Sequence, residues 1–178
     1  IISKVKSRYW KTTHKFGIRL PKSVEEALEI DRTTNTDLWR KAINKEMARV
    51  KIAWKTHDAN TPQEVREGKV PELKSFQEIG CHIIFDIKMD FTRKARFVAG
   101  GHTTEAPSSL RYSSVISRDS VRIAFLVAAL NDLDIMSCDF EYAYLNAPRR
   151  HTIWYDGGLQ CGEDNGKVCV IVRFLYGL

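Results

Sequence analysis

The stretch "IMSCDFEYAYLNAP", residues 135–148, sets Asp139 and Glu141 inside a run of apolar and aromatic side chains. Taking a carboxylate out of water costs several kcal/mol unless a cation meets it, so Asp139 needs a partner. An arginine such as Arg122 or Arg111 would serve, as would simple exposure at a strand end. A hard divalent ion would serve equally, because Mg²⁺ is held by one or two carboxylates together with substrate phosphates. A second constellation is Lys88, Arg93, Lys94 and Arg96, four cations crowded around one turn. Such a turn can grip polyphosphate, or its charge can keep an exposed hairpin from pairing with foreign strands. The thiols Cys81, Cys138, Cys161 and Cys169 form no Cys-x-x-Cys pair. Cys81 and His82 with His102 lack the second close pair that a zinc site requires, so free, buried thiols in a reducing compartment are expected.

These residues need elements to position them. Residues 135–140 read as a core strand with Asp139 near its C-terminal end. The segment before it, "SRDSVRIAFLVAALNDLD", reads as a helix capped by Ser117, with Asp119 favourable to the helix dipole in its first turn. Ile123, Phe125, Leu126, Ala129 and Leu130 cover most of its faces, which predicts a largely buried helix. The cations sit between "CHIIFDIKMD" and "RKARFVAGG", and residues 81–89 and 93–99 are predicted to pair as an antiparallel hairpin. Upstream, Pro21 and Ser23 start a short surface helix in "LPKSVEEALEIDR". Thr36 reads as the N-cap of an amphipathic helix carrying Leu38, Trp39, Ala42, Ile43, Glu46, Met47 and Val50, which ends near Ile52. Its other face, Arg40, Lys41, Lys45 and Arg49, reads as solvated. Residues 53–71 lose apolar periodicity and are expected to form a loop. Further strands are expected at "TIWYD" and "KVCVIVRFLYGL", separated by the Gly-rich "DGGLQCGEDNG".

With 178 residues and 43% hydrophobic content, the chain can bury one sizeable core. The longest apolar run, Ile123 to Leu130, is far short of a membrane span, so no membrane partner is expected. "IISKVKSRYW" has neither an initiator Met nor a signal-peptide pattern, and "VCVIVRFLYGL" stops inside an apolar segment. Both are expected of a chain cut from a longer one. Lys plus Arg exceed Asp plus Glu by 28 to 22, and the net charge of +6 favours an anionic partner such as nucleic acid.

Four blocks in order, "KARFVAGGHTT", "YSSVISRDSVRIAFLVAALNDLDI", "CDFEYAYLNAP" and "VRFLYGL", resemble the reverse transcriptase domain of Ty1/copia-type retrotransposons. The upstream "DLWRKAINKEM" is similar to the helix that opens such domains. The resemblance implies an α+β fold, the fingers and partial palm of a right-hand polymerase, with helices packed on an incomplete antiparallel sheet. Residues 1–36 would be linker from an upstream polyprotein region with a short helix, and 37–178 the fingers and first part of the palm. It also implies template-directed DNA synthesis, with an RNA or DNA template carrying a primer, deoxynucleoside triphosphates, and Mg²⁺ or Mn²⁺ as cofactor. The rest of the Pol polyprotein would supply integrase upstream and the remaining palm and RNase H downstream, all of it intracellular, in cytoplasm or nucleus.

Residue by residue, Asp139 matches the first catalytic, metal-holding aspartate of the palm, and the Phe140 peptide would run beside the metal-bound triphosphate. Tyr144 falls at the aromatic position that packs under the deoxyribose and excludes a 2′-hydroxyl. Lys94 and Arg96 match the basic residues of the fingers hairpin. Glu141 falls at a variable position and is read as structural or template-side. The family's second metal motif, an Asp-Asp pair, does not occur in the 178 residues, the hairpin turn "KMDFTRKAR" lacks the usual Gly, and "GGLQCG" departs from the usual acidic-aromatic version. The chain alone is therefore expected to be inactive. The alternative reading is a non-catalytic, basic nucleic-acid-binding remnant of a decayed retroelement.

Overall fold

The computed structural model describes residues 13–101, 115–141, 143–146 and 152–178. The chain divides into two compact units, one of residues 1–104 with 144–178, the other of 105–143. It mixes helices with sheets, as an α+β chain does. Among the described residues no helix is long and apolar enough to cross a membrane.

In the first unit β1 (His14–Lys15) and β2 (Ile18–Arg19) form a small hairpin, followed by α1 (Val24–Thr33) and α2 (Leu38–Val50). Ser23 caps α1 through the Glu26 N–H, as its sequence requires. The start of α2 differs from expectation. Its N-cap is Asp37, which makes no side-chain capping bond, and Thr36 instead bonds the Asp31 carboxylate. The buried Asp31 reaches across from α1 and accepts the N–H groups of Trp39 and Arg40 at 3.2 and 2.8 Å. A carboxylate at a helix N-terminus satisfies unpaired donors and favours the helix dipole. The short helix expected within the 1–36 linker is therefore present as α1, and through Asp31 it is tied to the start of α2.

The hairpin of β5 (Cys81–Ile87) and β6 (Arg93–Ala99) is present, in antiparallel register from Cys81↔Ala99 to Ile87↔Arg93. Its inner face, Ile83, Phe85, Ile87, Ala95, Phe97 and Ala99, is buried. Trp39 of α2 meets Phe85 edge-on at 5.5 Å. At the turn, Phe91 takes a left-handed φ of 61°, the position where a Gly would be usual, and Asp90 accepts the Thr92 N–H.

A second sheet runs β3 (Trp54–His57), β8 (Val168–Ile171), β7 (Ile153–Asp156), β4 (Gln77–Glu78). β7 and β8 are the strands expected from "TIWYD" and "KVCVI". The sheet is not wholly antiparallel, because β4 pairs β7 in parallel. Nor is 53–71 all loop. It contains β3 and the single-turn α3 (Pro62–Arg66), whose Thr61 and Glu64 form a reciprocal capping box. Trp54, Phe97 and Tyr155 lie 5.6–5.8 Å apart, joining this sheet to the hairpin.

In the second unit, α4 (Arg118–Leu130) forms where expected, with the Ser117 hydroxyl accepting the Ser120 N–H. It is not largely buried, since Ala128 alone among its residues is covered. Residues 133–140 form no strand, because no described segment pairs with them. α5 (Ala143–Asn146) follows, and its Leu145, in the first unit, is buried and accepts a hydrogen bond from Arg173 at 2.9 Å.

Candidate phosphate-binding cleft and metal ligand

Strand alternation decides where the hairpin cations point. Arg93 shares the parity of the buried Ala95 and Phe97, and its guanidinium stacks over the Trp39 ring at 5.6 Å. Lys94 and Arg96 have the opposite parity. They line a cleft of about 290 Å³ with Lys15, Leu20, Ile84, Phe85 and Asp86. Among the described residues neither Lys94 nor Arg96 lies within ion-pairing distance of a carboxylate, and the Arg96 guanidinium sits 5.5 Å from the Tyr176 ring.

Among the described residues Asp86 is the one acid in the lining, directly opposite Lys94 in the strand register. Burial pushes its carboxyl up, but this is outweighed by bonds from Lys15 and the Ile87 N–H and by the charges of Lys15 and Lys94. The net effect holds Asp86 below the usual carboxylate range. The cleft therefore presents three cations against one ionised carboxylate, an excess that suits an anion with several oxygens.

Two further contacts hold β6, the strand that carries Lys94 and Arg96, in place. The Glu46 carboxylate, on the buried face of α2, accepts the Phe97 N–H at 3.0 Å, and the Ala99 N–H donates to the Tyr176 carbonyl at 2.7 Å. Both donors lie on the outer edge of β6, beside which no other strand runs among the described residues. The "LYGL" block thus runs along β6 and brings Tyr176 under Arg96. Gly177 permits that approach, since it has φ 93° and a Cβ there would lie 2.2 Å from the Ala99 carbonyl oxygen.

Asp139 and Phe140 belong to the second unit and are exposed. Asp139 lies in an irregular segment rather than at a strand end, and among the described residues it makes no ion pair. Arg122, one of the partners considered for it, faces Asp119 at 3.5 Å, and Arg111 lies outside the described residues. Glu141 is exposed. The Tyr144 side chain lies outside the described residues.

All four cysteines are free; Cys169 is buried, Cys81 and Cys161 half-buried, and Cys138 exposed. Burial raises the first three, Cys169 to about 11, so they are inert as nucleophiles near neutral pH. Among the described residues no group of three His, Cys, Asp or Glu side chains could hold a metal ion.

Sequence reasoning missed Lys15, which lies in the supposed linker and carries no signal of its own. Asp86 and Tyr176 were legible in principle, the first from alternation along β5 and the second from the "LYGL" block. Compared with protein-family models, curated proteins and solved structures, the chain matches none.

Proposed function

We propose that the chain is the fingers and first palm segment of a retrotransposon reverse transcriptase, a part of an enzyme that copies an RNA or DNA template onto a primer. The observation that carries this reading is the pair Lys94 and Arg96. They sit in the block that resembles the family's fingers hairpin, and their side chains line one cleft without an ion-pair partner among the described residues. In the proposed role they neutralise the phosphates of an incoming deoxynucleoside triphosphate, with Arg96 oriented by Tyr176.

A single exposed carboxylate fits a Mg²⁺ site that draws its remaining oxygens from phosphates and water. The Asp139 carboxylate and the Phe140 backbone would hold the ion in this reading, and Tyr144 would pack under the sugar. When bound, the metal pair supplies charge neutralisation and alignment for in-line displacement of pyrophosphate. The residues of the chain orient the triphosphate, hold its negative charge and select the sugar. The exposed apolar side chains of α4, Ile123, Phe125, Leu126 and Leu130 among them, suit a unit that the remaining palm would cover.

The 178 residues contain no Asp-Asp pair, so the chain by itself is expected to give no primer extension with Mg²⁺ or Mn²⁺. It is nonetheless expected to bind a labelled primer–template weakly, with affinity falling steeply as salt rises, because +6 net charge releases condensed counterions. Extension by the isolated chain would overturn the inactivity argument. Binding that is absent or insensitive to salt would remove the nucleic-acid reading of this fragment.

A further inference from the structure

The hairpin cleft has a wall that does not come from the hairpin. Phe16 and Gly17 join β1 to β2 with φ of 52° and 75°, the pair of left-handed residues that a tight two-residue hairpin turn requires. The Phe16 ring stands edge-on to Phe91, 6.1 Å between centroids, so the tips of the two hairpins rest against each other. Leu20 is buried, and its N–H bonds the Thr13 carbonyl, closing the base of the small hairpin. Lys15 is thereby held over the cleft, 5.4 Å from the Phe16 ring centroid, with its ammonium 2.5 Å from Asp86 Oδ1.

We propose that Lys15 is a third phosphate-binding residue of this cleft, and that Asp86 parks its ammonium there until a polyphosphate arrives. The inference rests on the reading of Lys94 and Arg96 as phosphate ligands and assigns a role to a segment that reading leaves as linker. Three observations converge on it. Lys15 lines the same cavity as Lys94 and Arg96. Its only ion-pair partner among the described residues is Asp86, and the two side chains are 36% and 51% exposed. A pair so open to water holds weakly, while a polyphosphate offers several charged oxygens that Lys15 and Lys94 can share. Asp86 then acts as a competitor, since an incoming anion must displace it from Lys15 and tolerate its charge.

Titration of the chain with inorganic tripolyphosphate at low salt tests this, using Lys15→Gln, Lys15→Arg, Asp86→Asn and the double variant Lys94→Gln/Arg96→Gln. Lys15→Gln is expected to bind about fivefold more weakly, a loss of about 1 kcal/mol. Lys15→Arg should bind as the wild type does, and Asp86→Asn should bind more tightly. The sign of the Asp86→Asn change is decisive. If the Lys15–Asp86 pair only braces the hairpins, removing either partner weakens binding alike. Unchanged affinity in Lys15→Gln, with loss in the double variant, would refute the role of Lys15 and leave the cleft standing. No tripolyphosphate binding by the wild type, or binding that the double variant retains, would refute the cleft itself and the inference with it. Thermal unfolding of each variant, matched to the wild type, confirms that affinity rather than folding is read.

Discussion

Glu46 is a buried carboxylate whose task is backbone chemistry: it accepts the Phe97 N–H on the open edge of β6. Burial pushes its carboxyl above the usual glutamate range, against the opposing pull of the Phe97 N–H and the charges of Arg96, Arg49 and Lys94. A folded-state pKa above the unfolded value stabilises the fold at low pH. That contribution is complete below the ordinary value of 4.5 and is lost as pH rises through the raised one. Glu46→Gln keeps an acceptor for the Phe97 N–H without a charge to bury. It is expected to be at least as stable as the wild type at neutral pH, with the difference shrinking as pH falls toward 4.5. Glu46→Ala orphans a buried donor and should cost about 2 kcal/mol. Denaturant unfolding at several pH values reads both, and a Glu46→Gln protein that loses stability at neutral pH would show that the charge itself is needed. The sequence placed Glu46 on the apolar face of its helix but could not name its partner, because Phe97 lies 51 residues away. Asp31 posed the same difficulty: a capping carboxylate borrowed from the preceding helix leaves Thr36 looking like the cap.

The elements legible in the sequence were those whose signals are local. Alternation and β-branched residues marked β5, β6, β7 and β8, and apolar spacing marked α1, α2 and α4. β3 was missed because four residues, "WKTH", carry no period, and their pairing with β8 spans more than a hundred residues of chain. α3 was legible, since "TPQE" holds both halves of a capping box and a Pro at the first helical position. The expected strand at 135–140 failed for the opposite reason. Its composition suits a strand, but a strand exists only where another segment takes its backbone hydrogen bonds. The edge of β6 shows that rule satisfied without a partner strand, by Glu46 at one donor and Tyr176 at the next. Gly177→Ala would drive a methyl into the Ala99 carbonyl and impose a left-handed φ on a side chain, at a cost of about 3 kcal/mol. The same substitution should weaken tripolyphosphate binding by moving Tyr176 from under Arg96. Unchanged stability and binding in Gly177→Ala would mean that the "LYGL" segment does not brace the cleft.

On the scale of the molecule, the two units carry different parts of the proposed chemistry. The first holds the cations, fixed by a hairpin whose inner face is core and whose outer face is cleft. The second holds Asp139, exposed in an irregular segment after a helix whose apolar side chains are open to solvent. That Lys94 and Arg96 share one face could be anticipated from strand parity, whereas the Lys15 wall of their cleft could not, and Asp139, expected at the end of a core strand, lies exposed in a segment that forms none. The most direct measurement of the central claim is primer extension by a protein that carries residues 1–178 in their native reading frame, with Asp139→Asn beside the wild type. Removing the proposed metal-holding carboxylate while keeping its size should abolish template-dependent incorporation, by about a thousandfold or more, and leave primer–template affinity unchanged. Extension that survives Asp139→Asn at the wild-type rate would contradict the account.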